Sequence, residues 1–149
     1  MSTATWSSPL PGTDDMVPRA GLLTPALLAA YRRTGYHAAG AVIRIGRRAP
    51  AVDRLLRCYR CREAALITAW NPFSHRMPPG WNARMQRHLR QAVRRYVVLP
   101  ANGGARGWSE EHLLVLMPPA RAAVLARRFR QNAIVNLKYR QPPCLTRAY

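Results

Sequence analysis

Residues 64–70, AALITAW, form a nearly continuous apolar run that stops at Asn71-Pro72. A short run with no polar face reads as a strand covered on both sides, which requires packing layers above and below one sheet. Pro72 turns the chain where the run ends and sets the Asn71 amide at the rim of that sheet. In open α/β sheets such rims are where ligands gather. One run therefore predicts a central strand and a first place to look for chemistry.

The flanking segments supply the layers. Thr24-Pro25 offers an N-cap and a proline at the first helical position, and Leu27, Leu28 and Tyr31 follow at helical spacing until Gly35. AGAVIRIG at 39–46 is β-branched and bounded by glycines, as a strand would be. Residues 50–63 place Val52, Leu55, Leu56 and Tyr59 on one helical face. From Gly80 to about Tyr96, the residues Trp81, Met85, Leu89 and Val93 recur every fourth position, predicting an amphipathic helix with a basic outer face. YVVLPA at 96–101 and EHLLVLMP at 111–118 read as strands parted by the turn-rich NGGARGW. Pro119 opens another helix with Val124, Leu125 and Phe129 inward, NAIVNLKY at 132–139 is a strand, and CLTRAY at 144–149 is an edge strand. This order predicts a single compact domain of the α/β or α+β class over residues 21–149, with about four helices on a mixed sheet. A flexible N-terminal arm rich in Ser, Thr, Pro and Gly is expected at 1–20.

Charge sets the range of partners. The chain has 24 basic residues against 6 acidic, a formal net charge of +18, and every basic residue but Lys138 is arginine. Guanidinium groups grip phosphate bidentately and stack on bases, so a polyanionic partner is one expectation. An Ala-, Arg- and Pro-rich composition imposed by a GC-rich genome gives the same charge without function. No apolar run approaches the ~20 residues of a bilayer span. Asp14 and Asp15 stand where a signal peptide would be basic, so the expectation is a cytoplasmic protein with no membrane partner. Cys58, Cys61 and Cys144 are then expected to stay reduced.

CYRC at 58–61 has the spacing of a zinc knuckle or a redox pair, but it comes late in a helix and has no second pair. Neither a metal nor a cofactor is expected. His37, His75, His88 and His112 lack the paired spacing of helical metal sites, Ser74 lacks the glycine-flanked nucleophile elbow, and ANGGARG at 101–107 matches no nucleotide-binding glycine pattern. Acids are so few that acid–base candidates outside the arm reduce to Asp53, Glu63, Glu110 and Glu111. Asp53 falls in the first turn of a helix, where it complements the dipole. Glu110 and Glu111 enter a strand behind a glycine-rich loop, which can aim one of them into a cleft. Gln131 and Asn132 make a second amide-rich junction, which meets the first if their strands are neighbours.

ITAWNPFS, Asn82 in WNARMQRHL, WSEE before LLVL, and ARRFRQNAIV together resemble a bacterial family called domain of unknown function 3293. The resemblance implies a compact α/β domain with shared polar positions at Asn71, Asn82, Glu110, Gln131 and Asn132, and at Tyr31 and Tyr36. It implies no activity. In the family pattern a glycine usually precedes QNA, where this chain has Arg130. The functional expectation is a pocket for a polar or anionic small molecule, oriented by Asn71, Asn82, Gln131, Asn132 and Tyr36 and neutralised by Arg44. Glu110 is the acid–base group if the protein is an enzyme. The rival expectation is a nucleic-acid or ribonucleoprotein accessory that grips phosphates through Arg84, Arg87, Arg94 and Arg95 and the segment 121–130.

Overall fold

The computed structural model describes residues 23–149, so the arm expected at 1–20 lies outside the described residues. The Thr24 hydroxyl accepts a hydrogen bond from Leu27 N at 3.2 Å and Pro25 follows it, giving helix α1 (Pro25–Arg33). Strands β1 (Gly35–Ala38) and β2 (Ala41–Ile43) are joined by Ala39 and Gly40 alone, at φ 49° and 77°. A two-residue turn of that hand matches the twist of the strands it connects. The strand expected over 39–46 is thus the second half of a hairpin; its partner, GYHA, is too short to show alternation in sequence. There follow α2 (Pro50–Cys58), β3 (Glu63–Ile67), a 3-10 turn (Pro72–Ser74) and α3 (Pro79–Ala92). The chain continues through β4 (Val98–Ala105), β5 (Trp108–Val115), α4 (Pro119–Arg128), β6 (Ala133–Lys138) and β7 (Cys144–Arg147).

The strands form one sheet in the order β2-β1-β4-β5-β3-β6-β7, and every neighbouring pair is antiparallel. The mixed sheet expected from helix–strand alternation does not form, because each helical crossover passes over an odd number of strands. The β3-α3-β4 crossover leaves room for β5, and β5-α4-β6 leaves room for β3. Strands that run the same way are therefore always separated by one that runs the other way. Within β3-α3-β4-β5-α4-β6 this is the split β-α-β arrangement of ferredoxin-like folds, extended at one edge by β1 and β2 and at the other by β7. The protein is an α+β domain.

Both faces of the sheet are covered. Ala65, Ile67, Leu113, Val115 and Ile134 meet Met85, Leu89 and Val93 of the α3 segment and Ala122, Ala126 and Phe129 of the α4 segment. On the opposite face Leu66, Leu114, Val135 and Leu137 meet Val52 and Leu56 of α2. Successive residues of AALI thus enter different layers, which is why the run has no polar face. Each fully buried Leu or Ile contributes roughly 1.5–3 kcal/mol. In α4 the inward face is the small pair Ala122 and Ala126, and Val124, expected inward, is 55% exposed. Asp53 does more than complement the dipole of α2. Its carboxylate accepts bonds from Arg140 N at 2.7 Å and Arg48 Nη2 at 3.2 Å, and the Arg140 backbone N–H and the Arg48 guanidinium hold its pKa below the usual carboxylate range.

Two departures from the expected strand lengths shape the site. β3 stops at Ile67 because side chains take over its hydrogen bonding: the Thr68 hydroxyl donates to Glu111 O at 2.6 Å and accepts from Trp70 N at 3.1 Å, and Gln86 Oε1 takes Ala69 N at 2.9 Å. β4, by contrast, runs through the glycines expected in a loop, and only Arg106 and Gly107 separate it from β5. Gly103 lies opposite both Tyr36 and Glu110. A Cβ there would stand 2.9 Å from the Tyr36 ring and 3.0 Å from His112 Cε1. Gly103→Ala is therefore expected to cost roughly 1–3 kcal/mol by overpacking. Gly80→Ala, where a Cβ meets nothing within 4 Å, should stabilise α3 by up to about 1 kcal/mol. Urea unfolding of the two variants checks this, and a neutral Gly103→Ala would contradict the close approach.

Candidate functional site

The chain leaves β3 through a knot of left-handed residues. Asn71 has φ 47° and ψ 69°, a conformation asparagine tolerates better than most side chains. Phe73 and Ser74 follow at φ 50° and 64°. Phe73 N donates to Arg130 O at 2.6 Å, Ser74 N to Asn71 O at 2.9 Å and His75 N to Pro72 O at 2.9 Å. Arg130, at the position where glycine is usual, is itself left-handed at φ 55°. Such conformations cost of order 1–3 kcal/mol each and persist only where their surroundings fix them.

Amides do the fixing. Asn71 Oδ1 accepts from Met77 N at 2.9 Å and Asn82 Nδ2 at 3.0 Å, and Asn82 Oδ1 accepts from Asn71 N at 3.0 Å. Asn71 Nδ2 donates to Glu110 Oε1 at 2.7 Å. Gln131 Nε2 donates to Trp70 O at 2.9 Å, and Asn132 Nδ2 donates to Ser74 Oγ at 3.2 Å. The two junctions therefore meet, since β3 and β6 are neighbours. Most of their polar atoms are taken up by protein partners. The amides orient the site more than they present groups to a ligand.

Beside them lies a cavity of about 270 Å³ on the α2 side of the sheet. Tyr36, Thr68, Glu110 and His112 line it from the strand side, Ala30 and Tyr31 from α1, and Asn71, Ser74 and Gln131 from the two junctions. Asn82 stands behind Asn71, and Asn132 behind Ser74. Arg44 does not line the cavity; it donates to Arg33 O at 3.3 Å, at the end of α1. Among the described residues no arginine is in the lining. Sequence reasoning missed His112 as a site residue. It shares a strand face with Glu110 two residues away, a period-two signal that was legible.

Burial sets the chemistry of the lining. It raises the Glu110 pKa above the ordinary carboxylate value, against the opposing effect of the Asn71 hydrogen bond. Burial pushes the Tyr31 hydroxyl up to about 12, with a Ser74 hydrogen bond opposing and the Glu110 charge adding to the rise. Tyr36 is raised further, by burial and by the charges of Tyr31 and Glu110. Burial lowers His112 to about 4. Its Nδ1 lies 3.1 Å from Glu110 O, and because a carbonyl can only accept, Nδ1 carries the proton and Nε2 is left as an acceptor. Tyr36 meets the His112 ring edge to face at 5.4 Å between centroids. Near neutrality the cavity thus offers two phenol donors, one imidazole acceptor and one carboxyl.

The depressed His112 value makes a stability prediction. Unfolded chains take up this proton near pH 6.5, folded ones near pH 4, so the contribution is complete above pH 6.5 and is lost as pH falls toward 4. At about 1.4 kcal/mol per unit, the loss is roughly 3 kcal/mol. Urea unfolding at a series of pH values should show the stability difference between the wild type and His112→Gln moving against the wild type by that amount over this window. A constant difference would contradict a buried neutral imidazole.

Among the described residues no group of three His, Cys, Asp or Glu side chains is placed to hold a metal, and no helix is long and apolar enough to cross a membrane. Cys58, Cys61 and Cys144 are free thiols, and Cys61 Sγ donates to Glu63 O at 3.2 Å. Residues 67–134 match the model of a family described as a protein of unknown function, DUF3293. Over that segment the chain is similar to the DUF3293 family. Comparison with curated proteins and with solved structures found no significant match. The DUF3293 segment carries Asn71, Asn82, Glu110, Gln131 and Asn132, together with His112. Tyr31 and Tyr36 lie outside the match, so the cavity is completed by α1 and β1. Asn71→Ala deletes the bonds that join these parts and puts a Cβ residue without a polar side chain into the left-handed region. A loss of about 3 kcal/mol is expected, with Asn71→Gly about 1 kcal/mol less damaging. Equal losses in unfolding experiments would mean that the backbone at 71 is unstrained.

Proposed function

We propose that this domain binds a small, uncharged polar molecule in the cavity lined by Glu110, Tyr31, Tyr36 and His112. The observation that carries the reading is the 2.7 Å bond from Asn71 to Glu110, which holds a carboxyl of raised pKa in the lining of a cavity of about 270 Å³. That volume lies just under the ~300–1,000 Å³ usual for ligand sites, which favours a compact molecule. The lack of an arginine among the described residues of the lining argues against an anion, the other character read from sequence. α1 has no buried residue of its own and is the side on which a ligand would enter. If the ligand is turned over, Glu110 is the group that moves a proton, with His112 Nε2 as the acceptor within the same lining.

Thermal shift against a panel of small polyols, amides, ureas and nucleobases tests the proposal. A ligand at 100 times its Kd should stabilise the wild type by about 2.7 kcal/mol. The shift should vanish in Ala30→Phe, which fills the cavity from α1, and weaken at least tenfold in affinity in Glu110→Gln. A hit that survives both substitutions is bound elsewhere and rejects the assignment.

A further inference from the structure

On the opposite face of the sheet from the cavity, the C-terminal end of α3 and the helix α4 enclose an open groove of about 810 Å³. Arg87, Arg94, Arg95, Arg121 and Arg128 line it, with Tyr96 among them. We propose that this groove binds the phosphodiester backbone of a single-stranded nucleic acid, with little regard to sequence. Arg84, expected in the same set, is not part of the lining.

Three observations carry the proposal. First, the carboxylates of the described residues are engaged elsewhere: Asp53 with Arg48, Glu63 with Lys138, Glu111 with Arg90, and Glu110 with the Asn71 amide. Within the described residues the groove therefore concentrates guanidinium charge with no acidic side chain in its wall, and an anionic ligand has the whole of that charge to meet. Second, the shape is concave between two helices. An extended strand can lie in it. Third, Tyr96 is half-buried in the wall, and one aromatic face among guanidinium groups suits a base stacking beside a tracked backbone. A lining so dominated by arginine favours phosphate contacts over base-edge reading, hence the expected indifference to sequence.

The test is fluorescence anisotropy with a labelled oligouridine, a duplex of equal length and a polyglutamate of equal charge, each over a range of salt. Replacing Arg94, Arg95 and Arg121 by Gln removes three exposed groove cations. Replacing Arg54, Arg57 and Arg62 by Gln removes three exposed cations from the α2 side of the sheet and leaves the net charge of the two variants equal. The groove variant should bind oligouridine at least tenfold more weakly at moderate salt, with the salt slope reduced by about 2, while the control stays within twofold of the wild type. A second groove variant, Arg87→Gln with Arg128→Gln, should move in the same direction, and thermal unfolding confirms that all are folded. Equal losses in groove and control variants would mean that diffuse charge attracts the strand, and would overturn the assignment. So would polyglutamate binding as tightly as oligouridine, which points to an acidic protein, or a duplex binding more tightly than the single strand.

Discussion

The Asn71 side chain is the constraint on which the site depends. It stands where β3 ends, in a backbone conformation few residues accept, and its amide reaches the segment before α3, α3 itself through Asn82, and Glu110 on β5. A carboxyl in a buried lining is costly without a hydrogen-bond partner, and Asn71 supplies one without supplying charge. The other described carboxylates have basic partners. Glu110 is thus oriented by a neutral dipole, which leaves its protonation open to the surroundings and to a ligand.

The sheet topology explains why this contact exists. β5 lies between β4 and β3, so Glu110 enters on the strand beside the one that leads into Asn71. β6 is the other neighbour of β3, which carries Gln131 and Asn132 to the same end. Gly103 then lets the Tyr36 ring cross β4 to reach His112. A larger residue at 103 would separate the tyrosine from the imidazole and open the cavity floor. Packing, strand order and site chemistry are consequences of one arrangement.

Much of this could be read from sequence because it depends on local pattern. AALITAW has no polar face since its residues alternate between two apolar layers, and Met85, Leu89 and Val93 recur because one face of α3 packs on the sheet. The meeting of the Asn71 and Gln131 junctions was conditional on strand adjacency, and β3 and β6 are adjacent. Strand direction was not legible, because whether a crossover passes zero strands or one leaves no mark on periodicity. Nor was the placement of Arg44, which sits on the chain just past β2 and bonds the end of α1 instead of lining the cavity. The glycines at 103 and 104 resembled a loop because close approach and turn chemistry both call for glycine.

The sheet also separates two electrostatic environments. Among the described residues, its α2 side holds a cavity without an arginine in the lining, and the α3 and α4 side holds a groove in which arginine predominates. A chain of net charge +18 keeps a carboxyl of raised pKa only by keeping guanidinium groups away from it, because a cation alongside would pull that value down. Measurement of the Glu110 carboxyl titration by carbon NMR, in the wild type and in Asn71→Ala, tests this account most directly. The account predicts a pKa above that of an ordinary glutamate and a further rise when the Asn71 bond is removed. An ordinary value, unmoved by the substitution, would contradict it.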